Sequence, residues 1–375
     1  MSVVIIGGGL AGATVATELR ELDYQDPITL VAAEDHLPYE RPPLSKDVLL
    51  GKADTDSATV KDADWYRDNN VTLLMGTRVT SINREDNTVT TENGETLDYT
   101  KLVLATGSQP TPFPAAEESG KPVFYLRTAE DSNRLKAALN DKPNIAIIGG
   151  GWIGLEVAAA AREYGCEVTV FIRGNLPLEK VLGPEVAEIF ANLHREHGVT
   201  LKTNATPTTD DLKQFDMIVV GIGAYPDVQL AEDAGLAVDD GVLVNDRLQT
   251  SDPNIYAIGD IANEDHPTLG RLRVQHWDNA IEQAKTAAAN IAGKDTVYDK
   301  QPYFFTDQYD LGMEYFGSVD HTKDGKPDYD RVEIKGDPKG AFQAYWLKDG
   351  KVKAAMQAND WDNSEKVKNS LGTPM

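Results

Sequence analysis

MSVVIIGGGLAG, residues 1–12, is the stretch whose reading decides the fold. The apolar run Val3 to Ile6 breaks into Gly7-Gly8-Gly9, two residues follow, and Gly12 opens ATVATELREL, a segment with helical apolar spacing. Run, break and periodic segment predict strand, turn and helix. The spacing Gly7-x-Gly9-x-x-Gly12 suits a dinucleotide pyrophosphate. The first glycine makes the tight turn, the second lets backbone approach phosphate, and the third lets the helix pack closely on the strand. The helix N-terminus adds unpaired N–H groups and the positive end of a dipole. Taken alone, a glycine-rich turn serves equally well as a plain connection. Two features decide against that. Glu34 follows Gly12 by 22 residues, just past the apolar run Ile28 to Val31, where a ribose-binding carboxylate belongs. The whole unit also recurs as IAIIGGGWIGLEVAAAA, residues 145–161, with Gly149-x-Gly151-x-x-Gly154 offset by 142 residues. A repeat of this length predicts two nucleotide-binding domains in one chain.

The bulk properties agree with that reading and exclude others. The chain has 375 residues, 41% of them apolar, enough for two or three domains with large cores. A formal net charge of −24 opposes binding to nucleic acid and to anionic membrane surfaces, which would repel it. The single cysteine, Cys166, leaves no disulfide framework and no thiol pair for redox chemistry, which suits a reducing cytoplasm. The N-terminus lacks a basic leader, so no cleaved signal peptide is expected. The most apolar window, Ile145 to Ala161, holds three consecutive glycines and Glu156, which fits strand, turn and helix better than a membrane span.

Between the two glycine turns lies HLPYERPPLSK, residues 36–46, whose prolines make a stiff extended loop. Residues 53–70 are polar and predict a helix after a loop. Val71 to Leu74, Val79 to Ile82, Thr88 to Thr91 and Leu97 to Tyr99 read as an antiparallel meander. Lys101 to Ala105 reads as a buried strand ending at Thr106-Gly107. The proline-rich residues 109–122 read as a crossing between domains. Beyond the second glycine turn, Val168 to Ile172 and Met217 to Val220 are expected strands, the latter ending in Gly221-Ile222-Gly223, with a helix from Glu185 to His194. Ile255 to Ile258 is a further buried strand, stopping at Gly259-Asp260, and Asn279 to Ala292 a long helix. From Val297 the pattern changes to aromatic strands with charged turns, including a hairpin about Asp349-Gly350, and predicts a third, α+β domain.

Two nucleotide sites in one chain suggest that one cofactor reduces another, as when a nicotinamide passes hydride to a flavin that releases electrons singly. The motifs GGGLAG (7–12), LPYERPPLSK (37–46), LATGSQP (104–110), GGGWIGLE (149–156), NIYAIGD (254–260) and HWDNA (276–280) resemble those of the FAD-dependent ferredoxin and rubredoxin reductases of bacterial oxygenase systems. These are glutathione-reductase-like flavoproteins. The resemblance implies a FAD domain at 1–112 and 242–296, an NAD(P)H domain at 113–241 and a C-terminal α+β domain at 297–375. It implies that Gly7, Gly9 and Gly12 cradle the FAD pyrophosphate, that Glu34 binds the adenosine ribose and that Arg41 reaches the pyrophosphate. Further FAD contacts fall to Lys46, Val79, Thr106, Gly107, Arg127, Asp260 and Trp277; Val79 reads equally as a simple strand valine and Asp260 equally as a helix N-cap. On the NAD(P)H side stand Gly149, Gly151, Ile153, Gly154, Arg173, Gly221 and Gly223.

Glu156 stands out on physical grounds as one of very few charges in an apolar strand–helix unit, where burial without a partner is costly. The resemblance supplies Lys46 as that partner, the two acting as the catalytic pair flanking the nicotinamide. The alternative is a first-turn acid favoured by the helix dipole. Three departures from the family matter. Ile172-Arg173 stands where NADH-preferring members carry an acid, which favours NADPH or mixed use over strict NADH. Phe305 replaces the family's tryptophan before Thr306-Asp307-Gln308. The chain also ends soon after Trp361, so part of a last helix is expected to be missing. Cys166 reads as a packed small residue, and His194 and His197, three apart, have no companion ligand nearby.

Residues 301–375 carry 13 acids and 10 bases, so nearly all of the negative charge lies in the first 300 residues. An acidic ferredoxin-type partner is therefore expected to dock near the C-terminal domain, with Lys323, Lys326 and Lys339 as candidate contacts. Other functions compatible with the motifs are an NAD(P)H oxidase, a quinone or dye reductase, and a flavin redox-signalling protein resembling the apoptosis-inducing factors. A monomer or a homodimer is expected.

Overall fold

The computed structural model describes residues 2–319 and 327–375. The chain divides into two compact units. The first comprises Met1–Arg41, Thr55–Gln109 and Tyr225–Lys300; the second comprises Pro42–Asp54, Pro110–Ala224 and Gln301–Met375.

In the first unit the opening strand, Val3–Ile6, is the middle of a five-stranded parallel sheet in the order Ile255–Ala257, Lys101–Leu104, Val3–Ile6, Ile28–Val31, Val71–Leu74. Such a strand is covered on both faces, so it has no reason to alternate, and all four of its residues are buried. Each buried valine or isoleucine contributes about 1.5–3 kcal/mol relative to exposure. The helix Leu10–Glu21 follows with a buried face of small residues, Ala11, Gly12, Ala13 and Ala16 among them, and packs against the long helix Trp277–Ile291. One expectation fails here. Val71–Leu74 does not open an antiparallel meander but pairs in parallel with Ile28–Val31 as the sheet edge. The meander is the separate three-stranded sheet Val79–Asn83, Thr88–Thr91, Thr96–Asp98. Residues 53–70 also break into two pieces, a turn of 3-10 helix at Thr55–Ala58 and the helix Ala63–Asp68 capped by Asp62, because Asp62 ties down the Trp65 N–H and starts the helix late.

The second unit repeats the plan. Its parallel sheet runs Thr200–Thr203, Glu167–Ile172, Asn144–Ile148, Met217–Val220, Val123–Phe124. The strand Asn144–Ile148 leads through the second glycine turn into the helix Trp152–Tyr164. The helix Ala129–Leu139 starts from a Thr128–Asp131 capping box. The predicted helix Glu185 to His194 is longer, Glu179–Glu196, with a break at Gly183 (φ 71°) before Pro184.

The same unit contains a five-stranded antiparallel sheet, in the order Tyr303–Gln308, Leu311–Gly317, Lys351–Ala358, Phe342–Lys348, Arg331–Gly336. The Asp349-Gly350 hairpin is present, with both residues at positive φ as a two-residue turn requires. One face of this sheet buries Phe304, Met313, Tyr315, Trp346 and Met356 against Leu155, Leu182, Val186 and Phe190. The Trp346 indole N–H donates to the Leu182 carbonyl at 2.9 Å, so the large buried ring leaves no polar atom unpaired. Among the described residues no helix is long and apolar enough to cross a membrane.

Candidate functional site

The two glycine turns have nearly the same geometry. Gly7 has φ +123° and Gly149 φ +112°, values an L side chain rarely adopts. A Cβ on Gly7 would lie 2.1 Å from the Ala105 carbonyl oxygen, and one on Gly149 2.2 Å from that of Gly221. A Cβ on Gly12 or Gly154 would lie 2.0 or 2.2 Å from the oxygen of Gly7 or Gly149, so the third glycine of each set closes the helix onto its own turn. The middle glycines differ: a Cβ on Gly9 or Gly151 meets nothing within 4 Å. Sterics inside the protein therefore explain the first and third glycines but not the second, whose missing side chain leaves open space at a helix N-terminus with no side-chain cap. That is the fit expected of a cradle for a pyrophosphate.

Around the first turn two predicted residues, Glu34 and Arg41, meet each other, and Asp260, Thr106 and Trp277 are held by residues outside the predicted set. Glu34 accepts from Arg41 Nη2 at 3.0 Å and from the Tyr39 hydroxyl. Asp260 follows the buried strand in a single 3-10 turn and accepts from Ser108 Oγ at 2.7 Å. Thr106 donates to the Asp227 carbonyl at 2.8 Å, and Gly107 sits at φ 75°. Trp277 donates its indole N–H to Glu40 Oε2 at 2.9 Å. Val79 starts the meander and is 8% exposed. The turn before Asp260 is held from below: the Gly259 N–H donates to Gln283 Oε1 at 2.7 Å, and Gln283 Nε2 donates to Glu264 at 2.8 Å. Burial pushes the Glu264 carboxyl up to about 7.

In the second unit, Glu156 lies on the helix Trp152–Tyr164 two residues past Gly154, and is 4% exposed. Three donors reach its two oxygens. Lys46 Nζ stands 2.9 Å from Oε1, Thr306 Oγ1 donates to Oε1 at 2.5 Å, and Ser45 Oγ donates to Oε2. The proline loop thus delivers two adjacent donors, and Ser45 and Leu44 are anchored as a buried 3-10 turn, Pro42–Ser45. The Lys46 ammonium also lies 5.4 Å from the Phe305 ring centroid, so the residue standing in for the family tryptophan is within cation–π range of it. Removing one partner of a buried ion pair typically costs about 3–5 kcal/mol, because the other is left uncompensated.

The remaining predicted residues are distributed around the second turn. Gly221 meets Gly154, its Cβ position lying 3.3 Å from the Gly154 nitrogen, and Gly223 has φ +115°. Ile153 is 43% exposed, as no helix residue packed in a core would be. Ile172 is buried beneath Gly150, whereas Arg173 is exposed just beyond the strand end. Arg127 precedes the capping box and its N–H donates to Asp131 at 3.1 Å. Cys166 is fully buried, and burial raises its thiol above the ordinary range. Of the candidate docking lysines, Lys339 is paired with Glu196 at 2.7 Å, while Lys323 and Lys326 lie outside the described residues.

Sequence reading gave no role to Ser45, Thr306, Ser108, Glu40, Tyr39 or Gln283. Ser45 sits inside LPYERPPLSK and Thr306 directly after Phe305, but hydroxyl residues are common on any surface. Only the position of a buried carboxylate singles them out.

Comparison with known proteins places these features in a family. The model of the pyridine nucleotide-disulphide oxidoreductases matches residues 1–284. The ferredoxin–NAD(+) reductase component of an anthranilate 1,2-dioxygenase system from Burkholderia cepacia is 39% identical over 374 residues, covering 95% of this chain and 90% of that protein. Putidaredoxin reductase from Pseudomonas putida is 37% identical over 380 residues, covering 96% and 88%. Among solved structures, a ferredoxin reductase from Rhodopseudomonas palustris superimposes with a TM-score of 0.93 at 33% identity, covering 100% of this chain and 96% of that one. The reductase of a covalent putidaredoxin reductase–putidaredoxin complex gives 0.90 at 35% identity, covering 100% and 94%.

Proposed function

This chain belongs to the pyridine nucleotide-disulphide oxidoreductase family, and we propose that it is a flavoprotein ferredoxin reductase, taking hydride from a reduced pyridine nucleotide and passing single electrons to an iron–sulfur protein. Bound FAD supplies the conversion from two-electron to one-electron chemistry. The observation that carries the reading is the duplicated turn whose middle glycine, Gly9 or Gly151, alone has no neighbour to explain it.

In this reading residues 1–112 and 242–296 form the FAD part, 113–241 the nucleotide part and 297–375 the third domain. Gly7, Gly9 and Gly12 present backbone to the FAD pyrophosphate, and Arg41, already oriented by Glu34 and Tyr39, supplies cationic charge to it. Asp260 is oriented by Ser108 toward the ribityl chain. At the second turn Glu156 holds the Lys46 ammonium in place, and Lys46 offsets negative charge that develops on the acceptor during hydride transfer. No thiol takes part, because Cys166 is buried among apolar residues. The absence of a thiol pair suits a protein of the cytoplasm.

The nucleotide preference follows from the second strand end. Ile172 is packed beneath the turn, which leaves Arg173 as the exposed side chain there. An arginine accommodates a 2′-phosphate that a carboxylate would repel, so the protein accepts NADPH as well as NADH. Arg173→Ala is expected to lower the NADPH-to-NADH ratio of kcat/KM about tenfold, the worth of one charge-assisted contact. An unchanged ratio would remove Arg173 from specificity.

The iron–sulfur partner docks near residues 297–375, where the acidic excess is smallest. Turnover with ferredoxin should then change with ionic strength. The test of the whole reading is anaerobic: NADH and NADPH should each bleach the flavin absorbance, and mixing with an oxidised ferredoxin should restore it far faster than dioxygen does. Equal reoxidation by dioxygen would assign an oxidase instead.

A further inference from the structure

Thr306, one of the three donors to Glu156, is itself the end of a chain of side chains. The Tyr309 hydroxyl lies 3.3 Å from His194 Nδ1, His194 Nε2 lies 2.9 Å from Gln308 Oε1, and Gln308 Nε2 donates to Thr306 Oγ1 at 3.3 Å. Thr306 Oγ1 then donates to Glu156 Oε1 at 2.5 Å. His194 and Thr306 are fully buried and Gln308 is 1% exposed. Thr306 and Gln308 are two apart on the strand Tyr303–Gln308 and so share a face, while His194 comes from the helix Glu179–Glu196.

The donors in this chain can run in only one direction. Thr306 has one hydroxyl hydrogen, and the Glu156 carboxylate accepts it. The Thr306 oxygen is then an acceptor, so the Gln308 amide must turn its NH2 toward it and its carbonyl toward His194. His194 must in turn carry its hydrogen on Nε2, leaving Nδ1 to accept from Tyr309. Burial pushes the His194 imidazole down to about 4, so at neutral pH it has a single hydrogen to place. His197, stacked on the Tyr309 ring at 3.6 Å, covers the outer end. An amide flip at Gln308 would set donor against donor on the His194 side and acceptor against a committed hydroxyl on the other.

We propose that Gln308, held in one orientation by His194, is a positioning residue for Glu156: it commits the Thr306 hydroxyl to the carboxylate and so fixes Glu156 beside Lys46. The inference rests on the role of Glu156 proposed above. Neither Gln308 nor His194 touches the reacting atoms; both act through Thr306.

Stopped-flow reduction of the FAD-loaded protein tests it. Thr306→Val and Gln308→Met are each expected to slow flavin reduction about fivefold to tenfold while leaving the nucleotide dissociation constant within about twofold, because the contact is removed from the carboxylate and not from the nucleotide site. The double variant should be no slower than the slower single one, since both break the same chain. Thr306→Ser, which keeps the hydroxyl, should recover most of the rate lost in Thr306→Val. Independently of turnover, nitrogen NMR of histidine-labelled protein should show His194 neutral with its hydrogen on Nε2 across the neutral pH range, and Gln308→Met should abolish that tautomer's dominance. If Gln308→Met does not load FAD, the Thr306 pair and the NMR measurement decide. Full additivity, unchanged rates, or a His194 hydrogen on Nδ1 would overturn the proposal, provided Glu156→Gln is slow. A wild-type rate in Glu156→Gln would overturn the functional reading, and this inference with it.

Discussion

The two glycine turns are built to the same plan, and one difference between the helices that follow them stands out. Thr14 and Glu156 each stand two residues past the last glycine of their set. Thr14 satisfies itself locally, its hydroxyl donating to the Leu10 carbonyl at 2.7 Å within the same helix. Glu156 cannot do so and draws Ser45, Lys46 and Thr306 from two other segments of its unit. One backbone motif thus leads into a helix that satisfies its own polar side chain in the first unit and, by a single carboxylate, into the centre of a polar cluster in the second. The buried acids of the two units differ likewise. Glu156 has three donors, whereas Glu264 has Gln283 as its one hydrogen-bond donor among the described residues and is pushed up to about 7 by burial.

If the turns are equivalent in backbone, they must break alike. Gly12→Ala and Gly154→Ala each place a Cβ about 2 Å from a backbone oxygen, and each should destabilise its own unit by about 3 kcal/mol. Thermal unfolding of the two variants would measure this, and a large loss in only one of them would end the equivalence.

The contrast between the acids has its own signature in pH. The Glu264 carboxyl is raised above its unfolded value in the fold, so its contribution to stability is intact below about 4.5 and is lost as pH rises through about 7. Glu264→Gln should therefore match the wild type in mild acid and exceed it above neutral pH, by at most about 3 kcal/mol. Denaturant midpoints measured across that range check the sign; a variant less stable than the wild type at alkaline pH would contradict it.

The smallest effect is expected at the residue that corresponds to Glu156. Thr14→Val removes only a hydroxyl bonded to its own helix, and should change stability by less than about 1 kcal/mol with no change in the rate of flavin reduction. A measurable loss of rate would give the first helix a role the comparison denies it.

Much of this was legible in the sequence because glycine has few substitutes. A positive φ at Gly7 and a backbone approach at Gly12 leave no freedom of residue type, so the turns are written out letter by letter. The partnership of Glu156 with Lys46 came from the family resemblance, and the burial of Glu156 makes the need for such a partner physical. What failed to show was pairing between distant segments. Val71–Leu74 is a four-residue apolar run that carries no mark of whether it joins a parallel edge or a meander. Ser45, Thr306 and Gln308 are ordinary polar residues whose significance lies in which carboxylate they reach, through a sheet and a loop more than a hundred residues away in sequence. The helix expected from Glu185 begins just past the Gly183-Pro184 break, and what its spacing does not reveal is the helical turn before that break, from Glu179.

The central claim is that two turns of one geometry hold different cofactors, FAD at the first and the pyridine nucleotide at the second. Gly9→Val and Gly151→Val test it most directly, since each side chain would project into space that the protein itself leaves open. The account predicts that Gly9→Val is purified folded but without flavin, and that Gly151→Val retains one FAD that dithionite bleaches and NADH and NADPH do not. Loss of flavin from Gly151→Val, with Gly9→Val still yellow and reducible by nucleotide, would contradict it.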